Sequence, residues 1–172
     1  MGCRTNQNDS IATEADEYHH RGALIPSAKN QQILRFKPIN GELAREYVKN
    51  VKLGALLPEL SLPMQGTEPN AFIIICTKSE INNWSYIDIG ISAQTMLLKA
   101  VTMGLNGICI GAFNLEKTKQ LLPEGYKPLL VLAIGKSVEK IELVPVNEGD
   151  SLAYYREDGK HFVPKIENLI ID

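Results

Sequence analysis

The sequence predicts an α+β fold in which a sheet lies between layers of helices. Two continuous apolar runs, Ala71–Thr77 and Leu129–Gly135, have the length and composition of strands that are covered on both faces. Between them lies an apolar stretch, Ile87–Met103, whose few polar residues recur at the spacings of three and four that are typical of a helix. Strands and helices therefore follow one another in mixed order, which indicates helices packed on a sheet.

The N-terminal third of the chain predicts a tail followed by a strand, a helix and a loop. Residues 1–20 are polar and are expected to form a flexible tail, whereas residues 21–172 are expected to form one domain. Alternation over residues 32–39 predicts a half-buried strand, and apolar spacing over residues 42–56 predicts an amphipathic helix. A loop with three prolines spans residues 58–70.

The central helix is predicted to be enclosed on most sides. One thin polar stripe contains Asp88, Ser92, Thr95, Lys99 and Thr102, and nearly all of the other residues are apolar or small. The helix ends at Gly104 and leads into a short buried strand over residues 107–110, which closes on Gly111 and Ala112. Little side chain shields the backbone at this turn, so it would suit a flat cofactor that lies on exposed main chain.

The last third of the chain contains a short helix, a buried strand and a polar segment. Asn114 has the side chain of an N-cap and precedes a helix over residues 115–122, which Pro123 ends. After the buried strand, the chain is expected to turn polar from Val138 and to wind outward to an apolar stub at residues 169–171.

Composition excludes several classes of function. The formal net charge of −2 argues against nucleic-acid binding, which requires a basic face. His19 and His20 have no third ligand at a useful spacing, so no metal site is predicted. Cys76 and Cys109 lie in apolar strands and are expected to be small buried residues without nucleophilic reactivity.

The sequence also predicts a cytoplasmic protein. No apolar run approaches the roughly 18–20 residues needed to span a bilayer, and the N-terminus lacks the apolar stretch of a signal peptide. The alternative is a lipoprotein anchored through Cys3, because Gly2-Cys3 followed by a polar tail is how such a chain begins once its leader has been removed.

Three stretches, in the right order, resemble the family of FMN-dependent nitroreductases. Residues 26–32, Pro-Ser-Ala-Lys-Asn-Gln-Gln, are similar to the family's Pro-Ser-x-x-Asn-x-Gln loop before its first strand. Residues 88–94 and 104–113 are similar to its Asp-x-Gly-x-Ala-x-Gln helix and to the Gly-Leu-Gly and Cys-x-x-Gly-x-Phe segments that follow. Residues 154–165 are similar to its closing Val-Pro-Lys segment. The resemblance extends from about Ala23 to the C-terminus.

This resemblance implies a fold, a cofactor and a reaction. The fold would be a three-layer, nitroreductase-like arrangement with a mixed central sheet flanked by helices, and the protein would be a homodimer with flavin at the interface. NAD(P)H would pass a hydride to N5 of bound FMN, and the reduced flavin would pass electrons to a nitroaromatic, quinone or similar small acceptor. The chemistry would be that of the flavin, so no catalytic side chain is predicted. No Gly-x-Gly-x-x-Gly fingerprint for a separate nicotinamide domain occurs.

The resemblance also assigns the cofactor-binding residues. The loop residues Pro26, Ser27, Ala28 and Asn30 would contact flavin bound mainly by the other subunit. The backbone at Ile110, Gly111 and Ala112 would face flavin N5 and O4, and Lys165 would meet the phosphate. Without the resemblance, residues 26–30 would favour an ordinary turn that leads into a strand.

Two departures from the family pattern leave a second hypothesis open. The first 22 residues contain no match to the family's Arg-x-Ser-x-Arg element, which supplies most phosphate contacts. In addition, Ile166 and Glu167 follow Lys165 where the family commonly has an arginine. The alternative is therefore a non-catalytic flavin-binding or storage module, or a member of the same fold that has lost its cofactor.

Overall fold

The computed structural model describes residues 25–53, 62–63, 66–137 and 140–169, which form two units. The first unit comprises the described residues up to Lys136, and the second begins at Ser137. The predicted tail at residues 1–20 and the possible anchor Cys3 lie outside the described residues, so both stay predictions. No helix among the described residues is long and apolar enough to cross a membrane.

The first unit is built on a four-stranded sheet. Its strands are β1 (Leu34–Asn40), β2 (Ala71–Thr77), β3 (Asn106–Ile110) and β4 (Lys127–Gly135). They lie in the order β1-β2-β4-β3, and all three pairings are antiparallel. Every residue of β2 is buried, as its continuous apolar run predicts for a strand with a neighbour on each side. The four predicted strands are thus present, with ends that differ by at most two residues.

Helices cover both faces of this sheet. The first unit contains α1 (Gly41–Tyr47), α2 (Asn83–Thr102) and α3 (Leu115–Lys119), with short 3-10 helices at Ala28–Asn30 and Val48–Asn50. Asn82 caps α2, because its side-chain oxygen accepts hydrogen bonds from the amides of Trp84 and Ser85. Asn114 caps α3 as predicted, through a bond from the Lys117 amide. The helix predicted over residues 42–56 is shorter than expected, since Val51 pairs with Phe113 as an isolated bridge.

Alternating residues of the sheet separate two apolar clusters. Phe72, Ile74 and Cys76 face the side of α1, where the Tyr47 ring meets the Phe72 ring edge-on at 5.1 Å. Ile73 and Ile75 face α2 on the opposite side. The sheet therefore lies between two helical layers, which confirms the predicted three-layer fold.

The described residues do not enclose the central helix α2 on all sides. Asp88 and Ser92, at the start of its polar stripe, are buried against the rest of the first unit. Its exposed side is apolar and includes Trp84, Ile87, Ile91, Leu98 and Val101. One sheet covers only one side of a helix, so the enclosure that the sequence predicts requires a further layer that the described residues do not supply.

The second unit is a small sheet that the sequence prediction missed. It contains β5 (Lys140–Val146), β6 (Tyr155–Glu157) and β7 (Lys160–Ile166), in the order β5-β7-β6. In this sheet β5 and β7 pair in parallel, whereas the strands of the four-stranded sheet all pair antiparallel. A two-residue turn at Asp158 and Gly159, both with positive φ, joins β6 to β7. The segment from Val138 onward was expected to turn polar and to wind outward, and no bounds were predicted for these strands.

Burial of Cys76 makes the stability of the protein sensitive to alkaline pH. Burial raises the pKa of the thiol from its ordinary value of 9.0 to about 11, and the nearby Arg35 charge lowers it by a smaller amount. The folded state therefore holds this proton to higher pH than the unfolded state. The corresponding stability is fully present below the unfolded pKa and decreases as the pH rises from 9.0 toward about 11. Urea unfolding across this window should show the loss.

The matched variant is Cys76→Ala, which has no thiol to titrate. Its absolute stability will be lower because of the smaller side chain, but it should lose less of that stability between the lower and the upper pH. Equal losses in both proteins would show that the Cys76 thiol does not contribute to the pH dependence.

Candidate active site

The loop before β1 is folded by hydrogen bonds within itself. The amide of Asn30 donates to the carbonyl of Ser27 at 2.9 Å, and the amide of Gln31 donates to the carbonyl of Ala28 at 3.1 Å. The amide of Gln32 donates to the hydroxyl oxygen of Ser27 at 3.0 Å. These bonds hold a tight turn in a conformation that short loops seldom adopt without such support.

Three residues of this loop have positive φ although none of them is glycine. The φ values are 53° at Lys29, 55° at Asn30 and 48° at Gln32. Residues with side chains seldom adopt this left-handed region, and asparagine does so most easily. The side-chain amide of Gln32 donates to the side-chain oxygen of Asn30 at 2.7 Å and helps to fix the shape. A strained loop that is held in one conformation is typical of ligand-binding segments.

Asp88 anchors this loop to the central helix. Both of its carboxylate oxygens accept from the amide of Ala28, at 3.0 and 3.2 Å, and the residue is 5% exposed. One turn further along α2, the hydroxyl of Ser92 donates to the carbonyl of Asp88 at 2.7 Å. Sequence reasoning placed Asp88 in the polar stripe and in the family motif but not among the site residues. A carboxylate in an otherwise apolar helix was the signal that it overlooked.

The internal bonds leave the loop with donors on its accessible side. Ser27 uses one oxygen lone pair to accept from Gln32 and keeps its hydroxyl proton as a donor. Asn30 uses its side-chain oxygen in the same way and keeps its NH₂ group. The amide of Ala28 is already bonded to Asp88, so it is not available to a ligand. The loop therefore suits a ligand edge that is rich in acceptors.

Two cavities adjoin this loop and share Pro26, Ser27 and Asp88 as lining residues. The larger has a volume of about 420 Å³ and extends along the first turns of α2, where Trp84 and Ile87 line it. The smaller has a volume of about 260 Å³ and extends along the start of β1. The larger volume lies within the range of small-molecule binding sites.

Arg35 is a cation beside the smaller cavity that sequence analysis did not assign to the site. Its guanidinium donates through Nη1 to the carbonyls of Gln32 and Leu34, both at 2.7 Å. These bonds fix the junction between the loop and β1 and direct the side chain along the cavity wall. In the sequence, Arg35 is one of the polar residues of an alternating strand, so nothing distinguished it from an ordinary exposed strand residue.

The second predicted group, Ile110 to Ala112, lies at the end of β3. Ile110 is buried and pairs with Val131, so only its backbone is near the surface. The carbonyl of Ala112 accepts from the amide of Lys52 at 2.8 Å. A Cβ added to Gly111 would meet no atom within 4 Å, so the backbone is open on that side. At Gly111 the backbone of this turn is therefore unshielded by side chains, as predicted.

A single chain does not bring the two predicted groups together. The loop at residues 26–32 leads into β1, whereas Gly111 follows β3, and these are the two edge strands of the sheet. Two strands lie between them, which corresponds to three strand spacings or about 14 Å. Lys165, the third predicted element, lies in the second unit, where it is exposed on β7 opposite Pro145.

Cys109 is exposed, in contrast to the prediction. It lies on β3 opposite Leu132, and β3 forms an edge of the sheet with neighbours on one side alone. Partial burial nevertheless raises the pKa of its thiol, so the thiol is protonated at neutral pH. Apolar neighbours in sequence predicted a buried residue because sequence does not show which strands form the edges.

Comparisons with known proteins agree with this architecture. The sequence model of the Nitroreductase family matches residues 59–136, which include β2, α2, β3, α3 and β4. A nitroreductase family protein from Streptococcus pneumoniae TIGR4 superposes with a TM-score of 0.59 at 17% identity, over 76% of this chain and 82% of that chain. No curated protein sequence matches this chain.

Two further solved structures have the same fold. An FMN-dependent nitroreductase from Clostridium difficile R20291 superposes with a TM-score of 0.54 at 20% identity, over 74% of this chain and 77% of that chain. A protein from Bacteroides thetaiotaomicron VPI-5482, described as a candidate NADH dehydrogenase/NAD(P)H nitroreductase, has a TM-score of 0.57 at 23% identity. That superposition covers 81% of this chain and 78% of that chain.

Proposed function

We propose that this chain, which has the nitroreductase fold and matches the Nitroreductase family over residues 59–136, is an FMN-dependent oxidoreductase that uses NAD(P)H. The observation that supports this most strongly is the strained, donor-presenting loop at residues 26–32, anchored by Asp88 beside a cavity of about 420 Å³. The similar protein from Clostridium difficile is named an FMN-dependent nitroreductase, and this supports the choice of cofactor.

The described residues fit the polar edge of a flavin. Its ring carbonyls and N1 accept hydrogen bonds, and the Ser27 hydroxyl and the Asn30 NH₂ group are donors. The open backbone at Gly111 would allow a flat ring to approach the main chain. Lys165 would hold the phosphate. Bound FMN would supply the redox chemistry, taking a hydride from NAD(P)H and giving two electrons to a nitroaromatic, quinone or similar acceptor.

A homodimer would complete this site. The two groups assigned to the flavin lie on opposite edges of the sheet in one chain, about 14 Å apart, so they would meet most simply across two chains. The exposed side of α2 provides an apolar surface for such contact, with Leu98 and Val101, in the second half of the helix, each more than half exposed. In this arrangement the loop of one chain would contact the flavin held at Gly111 of its partner.

Titration of the purified protein with FMN tests the binding part of the proposal. We expect saturation at one flavin per chain, and Asn30→Asp should bind about three- to tenfold more weakly because it replaces the NH₂ donors by an acceptor. Asn70→Asp is the matched control, since this exposed residue precedes β2 at the other end of the sheet and should bind as the wild type does. Equal binding by both variants would remove Asn30 from the site.

A further inference from the structure

The larger cavity combines one cation with an apolar wall. Lys29 lines it from the loop and is exposed, with backbone φ of 53° at the turn that presents its side chain. The opposite wall comes from α2, where Trp84, Ile87 and Ile91 follow at spacings of three and four and so share one face of the helix. Trp84 is 61% exposed, which leaves much of its ring available for contact.

We propose that this cavity selects an electron acceptor with a flat apolar body and an anionic substituent, and that Lys29 is the specificity-determining cation. The inference rests on the proposed function, because it names the class of acceptor that the same site would reduce. The ring would lie along Trp84 and Ile87, and the carboxylate or sulfonate would face the Lys29 ammonium.

The other charged residue of the cavity, Asp88, does not cancel this preference. The residue is 5% exposed, and both of its carboxylate oxygens accept from the Ala28 amide. Lys29 and Asp88 are the charged residues among those that line this cavity in the described part of the chain. An incoming ligand therefore meets an exposed ammonium and a carboxylate that is already hydrogen-bonded.

The start of α2 adds to the positive potential. Asn82, which caps the helix, and Trp84, in its first turn, both line the cavity. The helix has 20 residues, so its aligned peptide dipoles place a partial positive charge at this end. Two independent features, the side chain of Lys29 and the position of the helix end, thus favour an anion over a cation.

The chain contains a built-in probe for this binding, because Trp84 is its only tryptophan. Nitroaromatic ligands that approach the ring should quench its fluorescence. The two ligands are para-nitrobenzoate and para-nitrobenzyl alcohol, which share a ring and a nitro group and differ in charge.

Titrations are carried out on the full chain, with and without added FMN, for the wild type, Lys29→Gln and the control Lys49→Gln. Lys49 is exposed in the second 3-10 helix and does not line the cavity.

We expect the wild type and Lys49→Gln to bind the carboxylate about fivefold more tightly than the alcohol, with a preference that decreases at high salt. Lys29→Gln should lose this preference and bind the alcohol as before. A wild type without preference, or a preference that survives in Lys29→Gln, would overturn the inference. A loss of NADPH affinity alone in Lys29→Gln would also overturn it and assign Lys29 to the nicotinamide phosphate.

Failure of this inference can be told apart from failure of the proposed function. Quenching of Trp84 reports binding and does not require turnover, whereas reduction of bound flavin by NAD(P)H is measured by visible absorbance. A protein whose flavin is reduced but whose ligands show no charge preference contradicts only the role of Lys29. A protein whose flavin is not reduced contradicts the proposed function, whatever its ligand preference.

Discussion

Replacing Asp88 by alanine is expected to weaken FMN binding by about ten- to a hundredfold and to lower the free energy of unfolding by about 1.5–3 kcal/mol. Both carboxylate oxygens accept from the amide of Ala28, and alanine leaves that amide without its acceptor. The loop at residues 26–32 would then lose its bond to α2 and would have to be ordered by the flavin itself. FMN titration and urea unfolding measure the two effects.

Two control variants separate the anchor from general damage to α2. Asp88→Asn keeps one side-chain oxygen that can accept from Ala28, so its loss of affinity should be smaller than that of the alanine variant. Ser92→Ala removes a hydroxyl that bonds to the Asp88 carbonyl within the helix, and FMN affinity should stay close to that of the wild type. If Asp88→Ala bound FMN normally, the anchored loop would not be part of the flavin site.

Replacing Gly107 by alanine is expected to lower the free energy of unfolding by about 1–3 kcal/mol. A Cβ at this position would lie 2.7 Å from the carbonyl oxygen of Ala133 and 2.7 Å from a methyl carbon of Leu97. The carbonyl belongs to β4, which pairs with β3 at this point, so it cannot move without disturbing the sheet. Only glycine therefore lets β3 pack this closely under α2. Urea denaturation of the two proteins measures the difference.

Gly111→Ala is the matched control, four residues further along. A Cβ there would meet no atom of the chain within 4 Å, so the free energy of unfolding should be nearly unchanged. The added methyl group would instead occupy the open side of the backbone where the flavin is proposed to lie, and FMN affinity should fall. The account would be wrong on this point if Gly111→Ala were as unstable as Gly107→Ala and bound FMN normally.

The strands and helices of the first unit were predictable because their signals are local. The apolar run at Ala71–Thr77 is long enough for a strand and uninterrupted, and the cap at Asn114 is a single side chain in the right place. The second unit was missed for a physical reason. In β5, exposed residues alternate with half-buried ones, so no continuous apolar run marks the strand. Its parallel partner β7 is distant in sequence, since Lys140 pairs with Lys160, 20 positions later.

The candidate site was predictable in composition but not in geometry. Sequence pointed to residues 26–30 and to Gly111, but it did not show that Asp88 takes up the Ala28 amide or that the two groups lie on opposite edges of the sheet. Those facts depend on tertiary packing between distant segments. Lys29 was likewise not assigned to the site, because a lysine in a loop is usually solvated. Only the structure shows that it lines a cavity.

The apolar surface of the central helix is larger than the described residues of one chain cover. In the described part of the chain, the enclosure predicted from its composition is met on the sheet side, through Ile89, Ala93 and Met96, and is not met on the side of Leu98 and Val101. A second copy of the chain would resolve the difference, since the exposed stripe would then be buried at a two-fold interface. Sedimentation of the wild type should accordingly show a dimer.

The most direct test of the central claim is anaerobic reduction of the FMN-loaded protein by NADH or NADPH, followed by visible absorbance. The account predicts that the flavin spectrum bleaches and that it returns when a nitroaromatic or quinone is added, with electrons passing from nicotinamide to acceptor. Flavin that is bound at one per chain and stays oxidised with both nicotinamides would contradict the oxidoreductase and would favour a flavin-binding or storage module.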